Sequence, residues 1–161
     1  MQVIEFEQKY FDKTSELLAN FRVTLSAFKN IESKPDLEAA KEELNWAIKD
    51  KWPIYLVEDN KEIVGYMLLR IDGCVWVEHI YVDPNYRRKG AASILYDKAE
   101  EISKGMGEDT VYNYVHPNND AMMSFLRNKG YTVLNLVEVR KPYKNEELNK
   151  KYKIGNNEFD Y

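Results

Sequence analysis

The run from Val75 to Ala99 changes its period once, and that change limits what the chain can fold into. Its first eight residues, Val75-Trp76-Val77-Glu78-His79-Ile80-Tyr81-Val82, are mostly β-branched and aromatic types without a breaker, which predicts a strand. Asp83-Pro84-Asn85 stops it, because proline has no ladder hydrogen to give and Asp and Asn favour turns. After Gly90, Ala92, Leu95, Ala99, Ile102 and Met106 recur at steps of three and four, which is one face of a helix. The unit reads strand, basic glycine-containing turn, helix, and it points to an α/β fold.

The turn has a chemical use. The first amides of a helix lack intrahelical acceptors and sit at the positive end of its dipole, so they form an anion site. Gly90, Ala91 and Ala92 carry nothing bulky that would hold a phosphate away, and Arg87, Arg88 and Lys89 add positive charge at the mouth. A pyrophosphate suits such a turn. The plainer reading is a solvated helix cap.

A chain of 161 residues suits one domain, residues 1–161, and 44% hydrophobic residues can fill one core. The net charge of −4 argues against a general affinity for nucleic acid or for an anionic membrane. A single cysteine, Cys74, excludes an internal disulfide and fits a reducing, cytoplasmic setting; it reads as a small strand residue. No apolar run approaches a membrane span, and the N-terminus alternates apolar and charged residues, unlike a signal peptide.

In order, Val3–Glu7 reads as a short strand, followed by a helix with the face Leu17, Leu18, Phe21, Leu25 and Phe28 and with Asp12 or Thr14 near its start. A second helix begins around Ser33-Lys34-Pro35-Asp36, with Pro35 in its first turn and Leu37, Ala40, Leu44 and Ile48 as its buried stripe. Ile54–Glu58, Ile63–Ile71 and Val75–Val82 form an antiparallel meander. Gly105-Met106-Gly107 ends the helix after the basic turn, and Thr110–Val115 is a strand parallel to Val75–Val82 by a right-handed crossover. A short helix with Met122, Phe125 and Leu126 on its inner face precedes a strand over Tyr131–Val139. Lys141–Lys151 is charged and loop-like. Tyr152–Tyr161 reads as a last strand, set beside Tyr131–Val139 in the same sheet, with a homodimer formed around that edge.

Val82-Asp83-Pro84-Asn85-Tyr86-Arg87-Arg88-Lys89-Gly90-Ala91-Ala92 resembles the acyl-CoA signature of the GNAT superfamily of N-acetyltransferases. The core pattern R/Q-x-x-G-x-G/A matches at Arg87, Gly90 and Ala92. Asn119–Tyr131 resembles the family's second motif, an Asn eleven residues before a Gly-aromatic pair, here Gly130-Tyr131. The resemblance covers roughly Ile54–Arg140. It implies a single domain with a central mixed, mostly antiparallel sheet, about four flanking helices, and a parallel strand pair that splays to admit acetyl-CoA. Pantetheine would pair with Ile80, Tyr81 and Val82, the pyrophosphate would lie on Arg87, Arg88, Lys89, Gly90, Ala91 and Ala92, and Asn119 would reach pantetheine. An Asn just before a helix also reads as its cap.

Acyl transfer to an amine needs a group that takes a proton from the ammonium. Glu78 is the proposed catalytic base: strict alternation puts it among Trp76, Ile80 and Val82, where desolvation would raise its pKa. Its plainer reading is a solvent-facing or ion-paired glutamate. Alternation puts His79 on the opposite face, where it packs, and His116 in a loop before Pro117. Many family members place a tyrosine acid four residues before the second-motif glycine; here that position is Leu126, and Tyr114 or a tail tyrosine is the remaining source of an acid. No His, Cys and carboxylate spacing suggests a metal site. The sequence leaves two functions: transfer of acetyl from acetyl-CoA to an unidentified amine (polyamine, antibiotic, amino acid or protein N-terminus), or a non-catalytic acyl-CoA sensor. An ion-paired Glu78 favours the sensor. A nucleotide-binding α/β protein is excluded by the lack of a P-loop lysine-serine pair.

Overall fold

In the computed structural model, which describes residues 1–161, five strands form one sheet in the order β1-β2-β3-β4-β5. They are β1 (Gln2–Glu5), β2 (Ile54–Asp59), β3 (Glu62–Ile71), β4 (Val75–Val82) and β5 (Tyr112–Asn113). The first four pair antiparallel and β4 pairs with β5 in parallel, so the sheet is mixed and mostly antiparallel as expected. The helices are α1 (Phe11–Phe28), α2 (Leu37–Lys49), α3 (Ala91–Gly105) and α4 (Asp120–Asn128). None is long and apolar enough to cross a membrane.

The helices α1 and α2 cover one sheet face with a core of Leu17, Leu18, Ala40, Leu44, Leu56, Tyr66, Leu68 and Tyr81. Burying such side chains contributes about 1.5–3 kcal/mol each, before the entropy of ordering them is counted. The other face belongs to α3, whose Ala91, Leu95, Tyr96 and Ala99 are buried. Helix starts depart from expectation in detail. A 3-10 turn over Gln8–Tyr10 leads straight into α1, so neither Asp12 nor Thr14 caps it. The second helix begins two residues after Pro35, and Asp36 is its cap, accepting from the Ala39 amide at 3.0 Å. Cys74 lies in the turn between β3 and β4, not in a strand.

Two β-bulges set the sheet's faces. Val57 pairs with Gly65 while Glu58 pairs with Ile63, so Val64 is the extra residue on β3. Leu68 pairs with His79 while Leu69 pairs with Val77, so Glu78 is the extra residue on β4. A bulge kinks its strand and shifts the alternation by one.

By packing, the chain divides into two units, Met1–Phe125 and Leu126–Tyr161. Here the expectations for the C-terminal unit are corrected. Tyr131–Val139 forms no ladder, and Val133, Leu134, Leu136, Val137 and Val139 are exposed. A β-prone sequence is a strand only when another strand offers its amides and a face to pack on. The tail does not join the five-stranded sheet either. It makes its own hairpin, β6 (Lys151–Ile154) with β7 (Asn157–Asp160), closed by a turn in which Gly155 takes φ +60°.

Candidate functional site

At Val77 the parallel ladder stops. Only Trp76–Tyr112 and Val77–Asn113 pair between β4 and β5, and Glu78 follows at once as the bulged residue. From there β4 runs on to Val82 paired with β3 alone. The expected strand Thr110–Val115 is thereby cut to Tyr112–Asn113. The two strands splay, and the backbone of Ile80, Tyr81 and Val82 keeps an edge without a ladder. That edge is what an extended, amide-bearing chain such as pantetheine would pair with.

Beyond Val82 the backbone is held tightly. The Asp83 side chain accepts from the Asn85 amide at 2.9 Å, and Pro84–Tyr86 makes a 3-10 turn. The Arg87 Nε donates to the Val82 carbonyl at 2.9 Å, and its guanidinium lies 5.3 Å from the Tyr81 ring centroid. Arg88 takes φ +59° and Gly90, at the N-cap of α3, φ +89°. Left-handed residues alternating with ordinary ones aim successive amides into one concavity. A Cβ on Gly90 would meet nothing within 4 Å, so conformation, not crowding by the protein, asks for glycine here. Lys89 Nζ donates to the Asn85 carbonyl at 3.0 Å. Ala91 is buried against the sheet and Ala92 half-buried.

The electrostatics of this helix start are inverted. The first turn of α2 has Asp36 and Glu38 facing the positive dipole end, whereas α3 has no acid in its first turn and follows Arg87-Arg88-Lys89. Cations at that end oppose the helix dipole by some tenths of a kcal/mol each. An anion lying on the amides would reverse the sign of that interaction. The residues therefore fit an acyl-CoA: an open strand edge for its amides and an uncompensated positive helix start for its phosphates.

Glu78 is ion-paired. Arg70 Nε donates to its Oε1 at 2.6 Å, and the side chains are 26% and 19% exposed. The Arg70 guanidinium also lies 5.2 Å from the Trp76 ring centroid, and Trp76 stacks between Tyr112 at 4.9 Å and Tyr114 at 4.8 Å. This corrects the expected set of neighbours. Paired residues share a face, so Arg70, Trp76, Leu68 and His79 lie on the α1–α2 side, while Ile80 and Val82 turn to the α3 side. Through Arg70, Glu78 joins Trp76 and lies on the same side as His79, not across the sheet from it.

His79 is 9% exposed and engaged at both ring nitrogens. Nε2 lies 3.2 Å from Glu43 Oε1 and Nδ1 3.3 Å from the Tyr66 hydroxyl. Burial, aided by the charge of Arg22, lowers its pKa to about 3, so the ring is neutral at ordinary pH. The partners assign the hydrogen to Nε2, facing the carboxylate, and leave Nδ1 to accept from Tyr66. Glu43 also accepts from two guanidinium nitrogens of Arg22, one of them Nε at 2.8 Å. This chain of four residues went unread in the sequence, since Arg22, Glu43 and Tyr66 lie on three separate elements. Arg70 had a fainter signal: the Asp72-Gly73 turn sets β3 against β4.

Asn119 is the cap of α4, its Oδ1 accepting from the Met122 amide at 3.1 Å. The ring of His116 stacks on Phe28 at 5.3 Å, and its Nδ1 accepts from the Asn118 amide at 3.1 Å. The Asn118 side chain donates to the Phe28 carbonyl at 2.8 Å, tying this loop to the end of α1. Leu126 is buried, and Tyr114 is exposed on the aromatic stack beside Arg70. No group of three His, Cys, Asp or Glu side chains converges anywhere in the chain.

A family profile described as "Acetyltransferase (GNAT) family" matches residues 18–131. Among solved structures, a probable acetyltransferase superposes with a TM-score of 0.73 at 16% identity, over 91% of this chain and all of that one. The aminoglycoside 6'-N-acetyltransferase AAC(6')-IG of Acinetobacter haemolyticus gives 0.65 at 17% identity, over 89% of this chain and all of its own. AAC(6')-Iy, solved with the bisubstrate analog CoA-S-monomethyl-acetylneamine, gives 0.63 at 16% identity, over 88% of this chain and 98% of its own.

Proposed function

The chain belongs to the GNAT acetyltransferase family, and from that premise we propose that it moves an acetyl group from acetyl-CoA to a primary amine by direct attack. The observation that carries the reading is the parting of β4 from β5 at the Glu78 bulge, directly ahead of an acid-free, cation-flanked helix start. In this proposal Ile80–Val82 hold pantetheine by their backbone, and Arg87, Arg88, Lys89 and the amides of Gly90, Ala91 and Ala92 hold the phosphates. Asn119 caps α4 and orders the loop before it. The acceptor nitrogen attacks the thioester carbonyl, the C–N bond forms as the C–S bond breaks, and coenzyme A leaves as thiolate. Glu78 takes the proton that the ammonium sheds before attack, and the second proton, lost from nitrogen as the tetrahedral adduct collapses to the amide, passes to solvent water. With Leu126 at the usual position of the tyrosine acid, the thiolate leaves unprotonated, which a thiol pKa near ~8.5 allows.

One observation favours the second reading, a non-catalytic acyl-CoA sensor: Glu78 is paired with Arg70 and not held apart for an incoming ammonium. Against it stands the partial exposure of both side chains, which leaves the carboxylate within reach of a ligand cation. Aminoglycosides head the acceptor panel, because one of the similar structures is by name an aminoglycoside acetyltransferase; polyamines, amino acids and peptide N-termini follow. One acetyltransferase domain over residues 1–161, a cytoplasmic setting, and a homodimer that covers the exposed apolar residues of Tyr131–Val139 complete the proposal. No nucleic acid or membrane partner and no metal is invoked.

Two experiments test it. Isothermal titration with acetyl-CoA is expected to give binding that Gly90→Glu abolishes, through left-handed strain and repulsion of phosphate; unchanged affinity removes the anion site. Thiol release with the amine panel is expected to fall about 100-fold in Glu78→Gln with acetyl-CoA affinity kept, and to recover in part at high pH. A wild-type protein that binds acetyl-CoA yet acetylates no amine leaves the sensor.

A further inference from the structure

The bulge at Glu78 is where β4 loses β5, turns its faces over and presents a carboxylate, and bulges are held in place by what surrounds them. The residue immediately after it, His79, carries a side chain that is hydrogen-bonded to two other elements of the fold. Its Nδ1 accepts from Tyr66 on β3 and its Nε2–H meets Glu43 on α2, which in turn is gripped by Arg22 on α1. Phe21 of α1 closes over the ring, 4.8 Å between centroids. Tyr66 is 1% exposed and His79 9%, so the bond between them is buried, whereas Glu43 is partly exposed. The two bonds together define a ring orientation, where one would leave it free to swing.

We propose that His79 is a positioning residue: by bonding Tyr66 and Glu43 at once, it clamps the Glu78 bulge to α1 and α2 and fixes where the opened β4 edge lies relative to the acceptor side of the sheet. The inference rests on the acetyl-transfer reading for its consequence in turnover, but not for its consequence in structure. The phosphate end of the site, Arg87–Ala92, lies on the other side of Val82 and takes no part in the clamp. Loss of the clamp therefore displaces the reacting end of the cleft while leaving the anchor at α3.

The test separates the two nitrogens. Gln at position 79 restores a donor to Glu43, Asn restores an acceptor for Tyr66, and Leu restores neither. With the best acceptor from the amine panel, His79→Leu is expected to lower kcat by about tenfold or more, the size of effect that a sub-ångström to ångström displacement produces. Acetyl-CoA affinity by titration should move by less than about threefold, since the proposed anion site at Arg87–Ala92 is left intact. His79→Gln and His79→Asn, each restoring one of the two bonds, should each regain part of the lost kcat. In parallel, amide hydrogen exchange over Glu78–Val82 should quicken in His79→Leu and return toward wild type in His79→Gln. A His79→Leu protein with wild-type kcat and unchanged exchange overturns the inference, as does a Gln variant as damaged as Leu in both readouts. If His79→Leu does not fold, Glu43→Leu replaces it, because it removes the acceptor facing Nε2: turnover and exchange both at wild-type level then overturn the clamp. Should the wild type acetylate no amine, the transfer reading fails by itself, and the exchange measurement still decides the inference.

Discussion

Val75–Val82 and Tyr131–Val139 are alike as sequences and opposite as structure. Each is eight or nine residues long, rich in β-branched and aromatic types, and carries one glutamate. The first is paired with β3 along its length, with Val75, Val77, Tyr81 and Val82 buried. The second forms no strand ladder, and Val133 is 87% exposed. The first also follows a turn that folds it back on a strand already laid down; the second leaves α4 and meets the charged stretch Lys141–Lys151. A strand's stability is a property of the pair and the face, and propensity alone adds at most ~1 kcal/mol per residue.

The sharpest way to break that contrast is to truncate one leucine in each environment. Leu69 on β3, opposite Val77, is fully buried; Leu134 is 68% exposed. Leu69→Ala should lower the unfolding free energy by about 3 kcal/mol, by lost burial and an unfilled cavity. Leu134→Ala should stay within about 0.5 kcal/mol. Equilibrium urea unfolding of both measures this directly. A Leu134→Ala loss comparable to that of Leu69→Ala would mean that Tyr131–Val139 is covered in solution, and light scattering would then show whether a second copy covers it.

A second measurement asks where the acid sensitivity resides. Both histidines lie in Met1–Phe125. With the pKa of His79 lowered from 6.5 to about 3, the unfolded chain binds the proton first. The stability from keeping His79 neutral is whole above pH 6.5 and is lost as pH falls from there toward 3. The slope is up to ~1.4 kcal/mol per pH unit, so about 2 kcal/mol should disappear between pH 6.5 and 5. His79→Gln has no such proton to bind, and its stability should fall less over that interval. Parallel pH curves for the two proteins would place the neutral ring elsewhere in the account.

The same contrast explains what was legible. Alternation and turn residues found β2, β3 and β4 within a residue or two, because in a meander each strand's partner is its neighbour in sequence. The basic turn and α3 were legible because the change of period and Gly90 are local. The bulge at Glu78 was not: nothing in Val77-Glu78-His79 announces an extra residue, yet it decides which side of the sheet Glu78 and His79 share. Nor was the fate of Tyr131–Val139, since a strand's partner is absent from its own sequence. The tail failed for a related reason. Tyr152 and Tyr161 do need a partner, and they find one in each other, edge to face at 5.4 Å, across a hairpin that Gly155 permits.

That hairpin gives a smaller expected effect. Truncation after Lys151 removes β7 and most of β6, both of whose ladders are with each other. The main unfolding transition should move by less than about 2 °C, because no strand of the five-stranded sheet is lost. A large drop in melting temperature would restore the tail to a place in the principal core.

A small effect of the opposite sign is expected where the well-packed unit itself is imperfect. Thr14 lies in the first turns of α1, fully buried, and its hydroxyl has no hydrogen-bond partner. A buried hydroxyl left unpaired costs about 1–3 kcal/mol of desolvation, whereas an apolar group of the same shape carries no such penalty. Valine has that shape: the hydroxyl becomes a methyl and the branch at Cβ stays. Its helix propensity is close to that of threonine, so the backbone gives no opposing term. Thr14→Val should therefore raise the unfolding free energy by about 0.5–1 kcal/mol, a shift of a few degrees at most. Thr14→Ser keeps the hydroxyl and removes the methyl, and it should lower stability through lost packing. The pair distinguishes the polar atom from the volume. If valine destabilises as serine does, the Thr14 hydroxyl has a partner in solution, and a buried water is the group that would supply it.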